Sequence, residues 1–199
     1  DNAAGTMTEA EITVNYVYYK TPATVLVNYI DEDGGELAES VTINGSVFDK
    51  YETEAKSFYG YELIGIPENA AGQMTDKQIV VTYVYRLKDA VVIVNYIDEN
   101  GETLSESEQI TGKVNQSYVT SAKNFEEYNL IETPNNAVGV MTEENIIVNY
   151  VYSLKEATVT VKHLTDTGQE LTKSEIISGK VKDSYSTQAQ EFYGYRLIE

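Results

Sequence analysis

The sequence has no cysteine, no tryptophan, one histidine (His163) and three prolines among its 199 residues. Without cysteine there are no disulfides, thiol nucleophiles or thiolate metal sites. One imidazole leaves metal binding and histidine acid–base chemistry almost without ligands. Basic residues are also few: 14 Lys and Arg stand against 32 Asp and Glu, a formal net charge of −18 with a pI near 4.3. Nucleic acids and anionic membranes are both held by clustered Lys and Arg, so neither is an expected partner. There is no run of eighteen apolar residues and no signal-like start, so membrane insertion is not expected either. What is present is globular in kind: 42% apolar and 23% charged residues. Tyrosine dominates the aromatics, 17 against 4 Phe, which suits thin sheets where a ring is buried and its hydroxyl reaches water.

A repeat of 67 residues organises the chain. Asn28-Tyr29-Ile30-Asp31-Glu32-Asp33-Gly34 returns as Asn95-Tyr96-Ile97-Asp98-Glu99-Asn100-Gly101, and more weakly as Lys162-His163-Leu164-Thr165-Asp166-Thr167-Gly168. The same shift relates Gly45, Gly112 and Gly179, and Tyr51, Tyr118 and Tyr185, without insertion or deletion. Repeats of this period mark modular architectures. Two phases are open. One gives whole repeats at 21–87 and 88–154, with 1–20 as the end of a preceding repeat and 155–199 as the start of a further one. The other gives 1–67, 68–134 and 135–199. The first is favoured because Thr21-Pro22, Lys88-Asp89 and Lys155-Glu156 are short polar joints without a tight-hairpin dipeptide.

Within a repeat, strands are predicted by alternation. Ile79/Val81/Tyr83/Tyr85 share one face, as do Ile12/Val14/Tyr16/Tyr18 and Ile146/Val148/Tyr150/Tyr152. In the opening strand Val25/Val27/Tyr29, Val92/Val94/Tyr96 and Val159/Val161/His163 face inward, while Thr158, Thr160 and Lys162 mark the wet side. A Gly-containing hairpin turn at Asp33-Gly34-Gly35 and its copies leads to a second strand. Val47, Tyr51, Ala55 and Phe58 then fall at helical spacing, which suggests a short helix, although their partly even spacing also suits a strand. A third strand through Tyr61-Glu62-Leu63-Ile64 precedes a loop and the closing strand. The expected class is β-rich α+β. Modules of 67 residues, each roughly 28 Å across, would in series make an elongated rod on the order of 80–100 Å.

No residue set points to catalysis, so an enzyme is not expected. Asp31-Glu32-Asp33-Gly34-Gly35-Glu36 has part of a calcium-loop pattern, but strands flank it and Thr165 and Thr167 replace two acids in the third copy. It reads as a turn with solvated acids, and no metal or other cofactor is expected. His163 stands where the other copies have Tyr and reads as an edge aromatic. An intramolecular Lys–Asn isopeptide bond is disfavoured, because Asn15, Asn28, Asn95 and Asn149 lie opposite the core face. The best candidates for ligand contact surround the third strand: Tyr59, Tyr61, Glu126, Tyr128, Tyr193 and Tyr195. Aromatic faces stack on sugar CH groups, and nearby acids hydrogen-bond hydroxyls. Tyr61, Tyr128 and Tyr195 recur at one repeat position, which also fits a structural anchor. The variable position Tyr59/Glu126/Tyr193 fits an exposed one.

In order, the A-T-V-x-V-x-Y-x-D-x-x-G-x-x-L opening, G-x-V-x-x-x-Y, G-Y-x-L-I, P-x-N-A-x-G-x-M-T and the closing V-x-Y-V-Y resemble the MucBP (mucin-binding protein) repeats of Gram-positive cell-surface proteins. The resemblance covers essentially the whole chain. Glu127-Tyr128 departs from Gly-Tyr in the second copy, and Lys162-His163 from Asn-Tyr in the third. The resemblance implies a β-grasp-like (ubiquitin-like) sheet and secretion to the bacterial cell wall surface. It also implies anchoring to peptidoglycan through regions outside this sequence, and adhesion to mucin or another host glycoprotein or glycan. The expected function is weak, multivalent binding by an adhesin repeat segment. A passive stalk that projects a separate host-binding domain is the alternative.

Overall fold

The computed structural model describes residues 3–198. Its contacts divide the chain into two compact units, 1–88 and 89–199. The first holds β1 (Pro22–Asp31), β2 (Glu36–Ser46), β3 (Lys50–Glu52), β4 (Tyr61–Leu63), β5 (Ala71–Gln73) and β6 (Ile79–Leu87). The second repeats this as β7 (Asp89–Asp98), β8 (Thr103–Lys113), β9 (Ser117–Val119), β10 (Tyr128–Glu132), β11 (Val138–Val140) and β12 (Ile146–Leu154). It then adds β13 (Glu156–Val161) and β14 (Glu175–Lys180).

Each complete repeat builds a four-stranded mixed sheet, in the order β2-β1-β6-β4 and again β8-β7-β12-β10. The first and last long strands pair in parallel at its centre, with Val25 opposite Ile79, Val27 opposite Val81 and Tyr29 opposite Tyr83. This is the arrangement expected of a β-grasp-like sheet. The β1–β2 hairpin turns on Gly34, whose φ of 86° is open to glycine at little cost. The Asp31 carboxylate accepts the N–H groups of Asp33 at 3.0 Å and Gly35 at 2.6 Å. The equivalent Asp98 takes Asn100 and Glu102, and these bonds, Glu102 first, hold its carboxyl below the usual range. The first acid of the pattern that suggested part of a calcium loop is therefore engaged in capping the turn.

The expected helix is not formed: among the described residues there is none. A parallel pair needs a crossover, usually helical; here a second, two-stranded ribbon makes it, β3 with β5 and β9 with β11. Residue 48 and its copies explain why a helix does not start. Phe48, Asn115 and Lys182 have φ of 73°, 70° and 75°, a left-handed conformation that a right-handed helix cannot contain. Beyond that turn, Tyr51 and Thr53 are buried while their neighbours are exposed, a period of two. Their polar groups bond across the ribbon, Tyr51 Oη to the Asn69 carbonyl and Thr53 N–H to that of Ala70. Ala55, placed with Tyr51 and Phe58 on the helical stripe, is exposed, as is its copy Ala122.

The buried face carries the alternation read from sequence. Val25, Val27, Tyr29, Val81, Tyr83 and Tyr85 pack with Tyr51 and Met74 in the first unit, and their equivalents do so in the second. Rings interlock: Tyr29 stacks on Tyr83 at 5.7 Å between centroids, and Phe58 meets Tyr85 edge-on at 5.0 Å. The hydroxyls are satisfied inside rather than at the surface. Tyr83 Oη shares a 2.9 Å hydrogen bond with Thr53 Oγ1. Tyr85 Oη donates to the Lys56 carbonyl and accepts the Lys56 N–H. In the second unit, Tyr150 meets Thr120 and Tyr152 meets Lys123 in the same way. Among the described residues no buried side-chain polar atom lacks a partner, as a core built on tyrosine demands.

Two strand expectations fail for one reason. Residues 12–18 carry the closing-strand pattern yet form no strand, and their apolar side chains are exposed. Likewise 195–198 of the third repeat, equivalent to β4, form none. In both cases the described residues supply no central partner strand, and a single strand cannot satisfy its backbone groups alone. The inner face of the third repeat follows the predicted phase, with Val159, Val161 and His163 half-buried and Thr158, Thr160 and Lys162 exposed. His163 lies 5.4 Å from the Phe192 ring, as an aromatic substitute would.

Candidate functional site

The six candidate contact residues all lie at the turn into the third strand of their own repeat, held by one local bond. The N–H of Tyr61, Tyr128 and Tyr195 is donated to the carbonyl of Phe58, Phe125 and Phe192 respectively. Tyr61 and Tyr128 are half-buried, because β4 and β10 pin them against the ends of β6 and β12, Tyr61 opposite Leu87 and Tyr128 opposite Leu154. Among the described residues no such strand lies beside Tyr195, which is 59% exposed. Tyr59 is 63% exposed, and Glu126 and Tyr193 also stand out into solvent. One repeat position is thus an anchor and the one two residues earlier is displayed.

In the second unit this turn also receives the third repeat. Only Lys155 separates β12 from β13. Its N–H is donated to the Glu127 carbonyl at 2.9 Å, and its own carbonyl accepts the Val181 N–H at 2.8 Å. The joint is thereby tied to the repeat before it and the repeat after it. Around it, Lys155 Nζ reaches the Glu126 carbonyl at 2.5 Å, and Lys180 pairs with Glu99 at 2.7 Å. Lys182 pairs with Glu127 at 2.6 Å while lying over the Tyr128 ring. Both ammonium groups are pushed above the ordinary lysine value, each first by the hydrogen bond to its glutamate. Sequence reasoning passed over this cluster, although a signal existed. Glu127 replaces Gly60 and Gly194, Lys182 replaces Phe48 and Asn115, and the two departures face each other.

A double exchange tests the joint. Lys182→Glu is expected to speed hydrogen exchange at the Lys155 and Val181 amides by roughly two- to fivefold, the range of an exposed ion pair. Adding Glu127→Lys restores slow exchange, and high salt abolishes the difference. Equal rates in all variants would show that the backbone bonds alone hold the joint.

A second lysine position also escaped the sequence reading. Lys56 and Lys123 recur above the rings of Tyr29 and Tyr96, at 4.3 and 4.2 Å. In the second unit Lys123 also pairs with Glu108 at 2.8 Å, and Tyr96 Oη donates to that same carboxylate at 3.1 Å. Burial first, and then the Glu108 charge, push the Tyr96 hydroxyl up to about 12. Glu108 is held below its ordinary value, chiefly by Lys123.

These modules are small mixed sheets with tyrosine-lined cores, and in the second unit a single residue bonded on both sides, Lys155, joins one repeat to the next. The family model for the MucBP domain matches residues 24–86, 91–153 and 158–199. The chain belongs to the MucBP domain family. It is 39% identical over 208 aligned residues to Internalin J of Listeria monocytogenes serotype 4b, a match that spans 99% of this chain and 23% of that protein. It is 30% identical to Internalin I of Listeria monocytogenes serovar 1/2a over 87% of this chain and 10% of that protein. The chain thus spans about a quarter or less of the length of these relatives. Among solved structures it resembles the type 2 repeat of the mucus binding protein MUB from Lactobacillus reuteri, with 20% identity and a TM-score of 0.25. That match covers 67% of this chain and all of that one.

Proposed function

We propose that this chain is a repeat segment of a bacterial surface adhesin whose first task is to act as a spacer outside the cell, projecting a separate host-binding domain from the wall. The single observation that carries this reading is Lys155, bonded through its N–H to one repeat and through its carbonyl to the next. A free linker would let repeats swing, whereas a tethered one transmits direction. The module bounds that go with it are 21–87 and 88–154, with parts of further repeats at 1–20 and 155–199. Peptidoglycan anchoring would come from regions outside this sequence. Small-angle scattering tests it: a maximum dimension on the order of 80–100 Å supports serial modules of this size, and a compact particle refutes them.

The second reading, weak multivalent contact with mucin or another host glycoprotein, is favoured by the display of Tyr59, Glu126 and Tyr193 at one repeat position. Low affinity per copy suffices when copies act together. Binding of the 199-residue chain to immobilised mucin tests it, with Tyr59→Ala/Tyr193→Ala as the contrast. Retention that drops severalfold in the double variant supports glycan contact, and no retention above a charge-inverted control leaves the spacer role alone.

A further inference from the structure

The turns that follow the opening strand of each repeat differ at one place. Asp33, Asn100 and Thr167 each precede the glycine that takes a positive φ. Of the three, Asn100 alone carries a side-chain amide. With Gly101 it makes one of two Asn-Gly pairs in the sequence, the other being Asn44-Gly45. Asparagine before glycine has a chemistry of its own. The glycine N–H loses its proton, its nitrogen attacks the asparagine Cγ, and ammonia leaves. A five-membered imide results, and water opens it at one carbonyl to give aspartate or at the other to give isoaspartate. Water is the only co-reactant.

The fold treats the two pairs differently. Asn44 and Gly45 lie in β2, opposite Thr24 and Ala23 of β1. Gly45 is packed so closely that a Cβ there would meet Met74 Sδ at 2.6 Å. The next N–H, that of Ser46, is held by the Asp49 carboxylate at 2.9 Å. For the Gly45 nitrogen to reach Asn44 Cγ, this stretch of strand has to leave its ladder. Asn100 and Gly101 are both exposed, and nothing lies within 4 Å of where a Gly101 Cβ would stand. The Gly101 N–H is donated to the Asp98 carbonyl at 3.0 Å, a bond at the tip of a hairpin. Such tips open locally, whereas a strand residue opens only when its ladder does.

We propose that Asn100 is a self-modification site, converting to aspartate and isoaspartate in the folded chain while Asn44 is protected. The two products act differently on what the turn holds. Aspartate keeps the main-chain length and reproduces the Asp33-Gly34 turn of the first repeat, so the turn bonds persist. Isoaspartate adds one methylene to the main chain, between the two N–H groups, of residues 100 and 102, that the Asp98 carboxylate collects. Their spacing no longer fits that carboxylate, and the turn changes shape. Glu99 lies inside this turn and pairs with Lys180 of the third repeat at 2.7 Å. Isoaspartate at position 100 therefore releases Glu99 from Lys180, one of the ties at the joint around Lys155. Because the ammonia escapes, the share of loosened joints grows with the age of the protein.

Ageing the whole chain at mildly alkaline pH, with peptide mapping by mass spectrometry and enzymatic methylation of isoaspartate, tests this. In the native chain, conversion at Asn100 is expected to outpace that at Asn44 by on the order of tenfold or more, because opening a ladder costs more than opening a tip. In denaturant the two rates should converge. Asn100→Thr installs the residue that the third repeat uses before Gly168, so the turn still forms; it is expected to abolish isoaspartate at this position. Hydrogen exchange at the Val181 amide should quicken by roughly two- to fivefold in the isoaspartate fraction of the aged chain, the range of a lost exposed ion pair. The Asn100→Thr chain aged in the same way should show no such change. Equal native rates at Asn44 and Asn100, or an Asn100 that stays intact while the denatured chain converts, would overturn the proposal. Isoaspartate at position 100 with Val181 exchange unchanged would sever the link to the joint.

Discussion

Replacing Tyr83 by alanine is expected to cost the first unit about 3–5 kcal/mol, the range for removing a large buried aromatic. The ring is 1% exposed, stacks on Tyr29 and lies on the central strand of the sheet. Its hydroxyl bonds Thr53, itself buried, so truncation opens a cavity and also removes one of the two hydrogen bonds of the Thr53 hydroxyl, which keeps its bond to the Ala70 carbonyl. A module of this length has about 3–10 kcal/mol in total. The substitution therefore removes much or all of that stability. Tyr83→Phe keeps the ring and loses only the hydrogen bond, for about 1 kcal/mol. Calorimetry should show the transition of the first unit lowered or lost in Tyr83→Ala while that of the second stays in place, and Tyr150→Ala should do the reverse. If either substitution moves both transitions equally, the two cores do not unfold independently.

Alkali is the second large lever. Burial raises the hydroxyls of Tyr29, Tyr85 and Tyr152 above the ordinary tyrosine value, and carries Tyr96 to about 12. A group whose pKa is raised by folding holds its proton more tightly in the native state. The stability it contributes is complete below the unfolded value, near 10, and is lost as pH rises through the folded one. Both units should thus be insensitive to pH just below 10 and lose stability as pH rises above it, the second unit up to about 12, where Tyr96 gives up its proton. Denaturant melts followed by circular dichroism, with tyrosinate absorbance read in parallel, check this. Glu108→Gln removes a carboxylate that opposes ionisation of Tyr96, so it should make the slope shallower for the second unit alone. An unchanged slope would show that Glu108 does not reach Tyr96 in solution.

Much of this arrangement was legible in the sequence because a sheet buries one face at period two. Val25/Val27/Tyr29 and Val81/Tyr83/Tyr85 could be placed inside from alternation alone, and Thr158, Thr160 and Lys162 outside. The hairpin was legible because Gly34, Gly101 and Gly168 stand where a positive φ is needed. The segment from Val47 to Phe58 was not. Its spacing fits two periods, and propensity gives no hint that residue 48 turns left-handed or that Tyr51 and Thr53 bond to residues 69 and 70. Of the candidate contact residues, the split between a recurrent anchor and a displayed neighbour could be read from which position varies. The lysines over Tyr29 and Tyr96 could not, because cation and ring lie 27 residues apart in the chain and are joined only by the crossover.

By itself the sequence determined the repeat, its length, the strand faces and the tyrosine-rich core, since periodic burial is a local property that needs no knowledge of partners. Only the tertiary structure decided which strands are neighbours, that a ribbon instead of a helix makes the crossover, and that Lys155 is bonded to the repeats on either side. Those outcomes depend on where backbone N–H and carbonyl groups find partners far along the chain, and side-chain pattern carries no record of that.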